Sequence, residues 1–268
     1  NLLRRMFRYS WPILILSTAS ILNQAFDKMV FPMVYDGADA KQQLGIYGAC
    51  VKIAMIMAMI TQAFRYAYEP LVFSIAKEKD SKQTYALGMK YFLIFTLLAF
   101  LCVMGYMDVL KHVIGPGYRE GLKVVPIVMA AEIMMGISMN LSFWYKLIDK
   151  TIYGAWFSIA GCAALLIVNF LFVPTYGYWA CAWGGFAAYG TTMVLSYLFG
   201  QRINPIPYQM KSICGYVLLA GALYAVMYYS NQMIGNQWFR MGVNTLLILV
   251  YLSVAVCEMI TKTKTKTT

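Results

Sequence analysis

The chain has 268 residues, of which 61% are hydrophobic and 12% charged, with a formal net charge of +11 at pH 7. An ordinary soluble domain is roughly 45–50% apolar and about 25% charged, so this composition excludes a water-soluble globular domain. The charges lie between long apolar runs, which makes the bilayer the solvent and removes nucleic acid as the natural partner of the excess positive charge.

About 20 apolar helical residues cross a hydrocarbon core about 30 Å thick. Eight runs meet that need, at 9–32, 45–75, 85–107, 122–145, 152–174, 177–200, 212–230 and 239–260. They predict an all-α, polytopic transmembrane helix bundle. The alternating segments of roughly 10 residues that build a membrane β-barrel do not occur.

In the first run Asn23, Gln24 and Asp27 form a polar stripe with Lys28 beside it. Neighbours along a helix do not face each other, so Asp27 is expected to reach another helix or a ligand while Lys28 snorkels outward. Cavity lining and helix–helix bonding both fit Asn23 and Asp27.

The second run carries Gln62, Arg65 and Glu69 three and four residues apart, on one helix face that cannot look at lipid. One reading is a structural Arg65–Glu69 pair bracing a kink at Pro70. The other sets Arg65 in a water-filled cavity, its planar fork gripping a phosphate while Glu69 positions it or carries a coupling cation. Lys52 lies about 140° round the helix from Arg65, so it joins that site only if the helix bends or the cavity is wide.

In the fourth run Glu132, Gly136 and Asn140 share a face, where a carboxylate needs a proton, a basic partner or a cavity. Small residues crowd the fifth and sixth runs, as in Gly161-Cys-Ala-Ala and Ala180-Cys-Ala-Trp-Gly-Gly, and let those helices approach closely. Trp11, Trp144, Trp179 and Trp238 fall near run ends and predict interfacial belts, while Pro12, Pro70 and Pro126 fall within runs and predict kinked cavity walls.

Six scattered cysteines read as small buried hydrophobes, and His112, the single histidine, stands alone in a connector, so no metal site is expected. No phosphate-binding glycine loop and no nucleophile elbow occurs, so no enzymatic activity and no cofactor is expected.

Most of the 22 Lys and Arg residues fall on the N-terminal side of the alternating connectors, among them Arg4, Arg5, Arg8, Lys77, Lys79, Lys82, Lys146 and Lys150. The positive-inside rule then puts both termini in the cytoplasm. The opening Asn1-Leu-Leu-Arg-Arg has no signal-peptide character, and the chain is expected to begin mid-protein.

Several segments together carry a family likeness: Tyr9-Ser-Trp-Pro-Ile with Asp27, Leu44-Gly-Ile-Tyr-Gly, Gln62-Ala-Phe-Arg-Tyr-Ala-Tyr-Glu-Pro, Tyr118 through Pro126, Asn140-Leu-Ser-Phe-Trp-Tyr-Lys, and Asn169-Phe-Leu-Phe-Val-Pro-Thr-Tyr-Gly-Tyr. In order and spacing they resemble the polysaccharide-transport branch of the multidrug, oligosaccharidyl-lipid and polysaccharide exporter superfamily. Ala180 departs from the glycine common there.

The resemblance implies two facing six-helix lobes alternating access around a central cavity. Residues 1–205 would be the second lobe and 206–268 two additional helices with a basic cytoplasmic tail; the N-terminal lobe would be missing from this chain. It implies a flippase in the bacterial inner membrane that moves an undecaprenyl-diphosphate-linked oligosaccharide outward for O-antigen, lipopolysaccharide or other polysaccharide biosynthesis. Na+ or H+ is a possible coupling cation. Arg65 fits the diphosphate best and Lys52 second. A cation-coupled multidrug extruder and a lipid II flippase are the near alternatives, and a membrane glycan polymerase or ligase is one of another class.

Overall fold

The computed structural model describes residues 29–35, 37–78 and 80–267, with isolated positions between Met6 and Thr18. Seven long helices follow one another: α1 Ala40–Ser74, α2 Ser81–Gly105, α3 Val125–Leu141, α4 Ile152–Tyr176, α5 Tyr178–Ile203, α6 Met210–Met233 and α7 Gln237–Thr267. A one-turn helix Met107–Leu110, a 3-10 stretch Pro116–Val124 and a short helix Phe143–Leu147 complete the connections. The polytopic helical bundle read from hydropathy is thus the fold, with no strand among the described residues.

Six of the described helical segments are long and apolar enough to cross a membrane, including the continuous stretch Pro116–Leu147. They coincide with six of the eight runs read from the sequence. Most of the first run lies outside the described residues; those of it that are described, Ser10, Trp11, Leu14, Thr18 and 29–32, are helical. Helix α5 has the length, but Gly184, Gly185, Gly190, Gly200, Gln201 and Arg202 dilute its apolar character. One side of it packs on α4 and α3, while Trp183, Val194, Leu198 and Phe199 stay exposed.

Helices α4 and α5 form the tightest hairpin. Gly177 alone separates them, at φ +56, a left-handed conformation that glycine adopts without cost. Its N–H closes the last turn of α4 on Val173 O at 2.9 Å. A Cβ at Gly161 would meet Thr192 Oγ1 and lie 2.9 Å from Ala188 O, and one at Gly184 would lie 2.5 Å from Asn169 Oδ1. The small residues in these runs therefore do what their spacing predicted. Without a hydrophobic force between helices in lipid, such close backbone approach supplies the association.

Helix α3 packs on both α1 and α5, while α2 packs on α6 and α7. Polar groups fasten this second junction at two levels. Toward one end, Lys90 of α2 forms an ion pair with Glu258 of α7, and Tyr216 of α6 donates to the same carboxylate at 2.5 Å. Toward the other, Asn244 Nδ2 donates to Gly105 O at 2.8 Å and Arg240 pairs with Asp108 at 2.9 Å.

Connectors fall at alternate ends. Lys82 Nζ donates to Pro205 O at 3.1 Å and Lys146 pairs with Glu69 at 3.0 Å, which gathers the basic segments near 75–82, 146–150 and 202–211 at one end. At the opposite end Gln43 Oε1 accepts from Tyr178 N at 3.3 Å. There, hydrogen bonds from Gln43 and then Tyr35 hold the Asp39 carboxyl below its ordinary range.

Three sequence expectations change. Trp144 is buried rather than interfacial, its Nε1 donating to Ser196 O at 3.1 Å beside Gly200, because Phe143–Leu147 tucks against α5. Pro126 sits in the first turn of α3, where its missing N–H leaves no bond broken. Among the cysteines Cys50 and Cys181 are buried, Cys102 and Cys162 half-buried, and Cys214 and Cys257 exposed on the outer helices α6 and α7.

Candidate functional site

The polar stripe of α1 begins from the same geometry as in the sequence, but its bonds run elsewhere. Glu69 takes its ion pair from Lys146 of the short helix Phe143–Leu147, at 3.0 Å, and not from Arg65. Lys146 Nζ also stands 5.5 Å from the Phe143 ring. The i,i+4 pairing expected of Arg65 and Glu69 is therefore absent, since a second helix end offers the carboxylate a nearer cation.

Arg65 is left with a different environment. Its guanidinium carbon lies 5.3 Å from the Tyr66 ring centroid, a cation–π distance. Its Nε is buried without a hydrogen-bond partner, and no described carboxylate lies within salt-bridge reach of it. Gln62 Oε1 and Thr61 Oγ1 are buried and unpartnered on the same helix.

Across from them, α3 contributes Gly136 and Asn140. Thr61, Arg65, Gly136 and Asn140 line one crevice of about 10 Å³ together with Phe64, Tyr68, Met139 and Phe143. Gly136 makes the contact possible: a Cβ there would overlap the Phe92 ring and lie 3.0 Å from Thr61 Cγ2. Asn140 spends its amide on Gly136 O at 3.0 Å, within its own helix. Glu132 stands one turn before Gly136, with Oε2 buried and unpartnered.

Of the residues singled out in the sequence, Gln62, Arg65 and Glu69 sit together on α1, and Arg65 meets Asn140 in the crevice. Glu132 stands on the same α3 face without pairing to Arg65. Lys52 does not join them. It is exposed, and thirteen residues of helix put it roughly 20 Å along the axis from Arg65. Asn23 and Asp27 lie outside the described residues.

Sequence reasoning overlooked three groups. Thr61 and Lys146 complete the site from positions whose role depends on which helices meet. Asn169 is fully buried in the α4–α5 seam with neither amide atom partnered, against Gly184. A lone Asn in the apolar run Leu166-Ile-Val-Asn-Phe-Leu was its only signal. An unsatisfied buried polar group costs about 1–3 kcal/mol, so a cluster of them marks hydrogen-bonding capacity open to a ligand or water.

No protein-family model matches the chain, and no curated protein sequence matches it. Among solved structures it is similar to the outward-facing conformation of a multidrug resistance MATE family transporter of the MOP superfamily, with a TM-score of 0.56 and 13% sequence identity. The likeness covers 84% of this chain and 53% of that one, so the chain spans about half the transporter's length. At this identity the likeness establishes the fold.

Proposed function

We propose that this chain is one lobe, with an added helix pair, of a flippase that carries an undecaprenyl-diphosphate-linked oligosaccharide from the inner to the outer leaflet of a bacterial inner membrane. In this reading the basic end of the bundle, with both termini, is cytoplasmic. The shared fold with a MOP-superfamily transporter supports transport, and the match to about half of that chain supports a second, facing lobe.

The observation that carries the substrate class is Arg65. A guanidinium inside a membrane span costs several kcal/mol unless something anionic or wet receives it, and the carboxylate one turn away is already committed to Lys146 at 3.0 Å. A cation held without a carboxylate is suited to an anionic headgroup, and the planar fork of arginine matches a diphosphate in two parallel bonds. Gln62 and Asn140 would add neutral polar contacts.

A second reading, a cation-coupled multidrug extruder, draws on the MATE-type fold and on Glu132, whose buried unpartnered oxygen is the kind of group a cation or a proton neutralises. The two readings separate in cells. Arg65→Ala in the full-length protein is expected to abolish surface polysaccharide while the protein remains folded in the membrane, and Arg65→Lys to retain part of it. Wild-type surface polysaccharide in the Arg65→Ala strain would overturn the assignment, as would loss of drug resistance with glycan export intact.

A further inference from the structure

A groove of about 400 Å³ opens between α2, α3, α5 and the start of α6, lined by Met89, Leu93, Ile133, Ile137, Val194 and Ile213 among others. Every lining side chain is apolar except for the hydroxyls of Tyr197 and Tyr208, whose rings stand 6.3 Å apart where the groove meets the 204–209 connector. An apolar cavity of this size stays dry, and within a bilayer hydrocarbon is what fills it.

That end of the groove is basic. Arg202 lies one turn beyond the lining residue Leu198 in the last turn of α5, and Lys211 follows the lining residue Met210. Lys82 reaches across, donating to Pro205 O at 3.1 Å. None of the three forms a salt bridge with a described carboxylate. Apolar walls, two tyrosines at the depth of an interface and three cations beyond them follow the order of an anionic lipid from tail to head.

We propose that this groove holds one anionic phospholipid of the surrounding bilayer, with an acyl chain between the lobe and α6 and its phosphate at Arg202, Lys211 and Lys82. The site is separate from the Arg65 crevice and does not depend on what that crevice carries. It would join α6 to α3 and α5 through a lipid, whereas the polar contacts of α6 at that end, from Ser212 and Tyr216, go to Glu258 of α7.

The test is lipid retention by the delipidated full-length protein in mild detergent, read by native mass spectrometry. The probes are palmitoyl-oleoyl phosphatidylglycerol, the phosphatidylcholine with the same tails, and undecaprenyl phosphate. A single phosphatidylglycerol is expected to be retained about thirtyfold more tightly than phosphatidylcholine, as two or more basic contacts at a headgroup require. The double variant Arg202→Gln/Lys211→Gln should bring it down to the phosphatidylcholine level, and Val194→Trp, which fills the groove, should weaken both. Circular dichroism and monodispersity verify folding for each variant. Equal retention of the two phospholipids, or retention unchanged in both variants, overturns the proposal. Displacement of phosphatidylglycerol by an equal amount of undecaprenyl phosphate also overturns it, and gives the groove to a polyprenyl carrier.

Discussion

Arg65 and Glu69 illustrate what residue spacing can and cannot decide. Their four-residue separation correctly put both on one face of α1, yet the pair itself did not form, because Lys146 approaches from a helix end that hydropathy does not locate. With side chains 20% and 32% exposed, the Lys146–Glu69 pair lies between buried and surface regimes. A double-mutant cycle with Glu69→Gln and Lys146→Met, followed by thermal unfolding in detergent, is expected to give a coupling of about 1 kcal/mol. The same cycle between Arg65 and Glu69 should give a value near zero. Gly136 is the residue on which the crevice depends most. Gly136→Leu would drive a side chain into Phe92 and Thr61, and overpacking of this kind costs about 1–3 kcal/mol. The variant is expected to unfold at lower temperature and to lose transport, whereas Gly136→Ala should lose less of both.

At the scale of helices, the apolar runs from 45 onward were legible because lipid imposes a length and a composition on any segment that crosses it. The seams between helices were not, since hydropathy says that a face is apolar without saying which neighbour it meets. Lys90 shows the gap. In sequence it is one basic residue at the edge of a span, and in the fold it is the buried half of the ion pair that fastens α2 to α7. Trp144 misled for a related reason, because the short helix after Ser142 turns a span end into core. Breaking a buried pair by removing one partner costs about 3–5 kcal/mol, more than the pair contributes relative to an apolar replacement. Since the Lys90 side chain is 3% exposed and that of Glu258 is 29% exposed, Glu258→Gln should destabilise more than Lys90→Met. The double variant Lys90→Met/Glu258→Leu should recover much of the loss. Unfolding midpoints of the three variants give the order, and a more stable Glu258→Gln than Lys90→Met would contradict this view of the junction.

For the molecule as a whole, the contacts establish that successive connectors alternate between two ends, and the charge bias then gives those ends different environments. Lys82 with Pro205 and Lys146 with Glu69 hold the basic connectors at one end, whereas Asp108 with Arg240 and Gln43 with Tyr178 tie together the other. Lys and Arg near span ends resist translocation, so the basic end is expected in the cytoplasm. Two exposed positions test this, His112 at one end and Lys150 at the other. In a full-length protein freed of its native cysteines, His112→Cys should react with a membrane-impermeant maleimide in cells whose outer membrane alone is permeabilised. Lys150→Cys should react only after the inner membrane is opened. The reverse pattern would invert the transport direction assigned to the Arg65 site, because a phosphate taken up at the basic end would then start outside. Reaction of both residues from the same side would contradict the alternation of connectors itself, and with it the bundle in which α1 and α3 bring Arg65, Gly136 and Asn140 together.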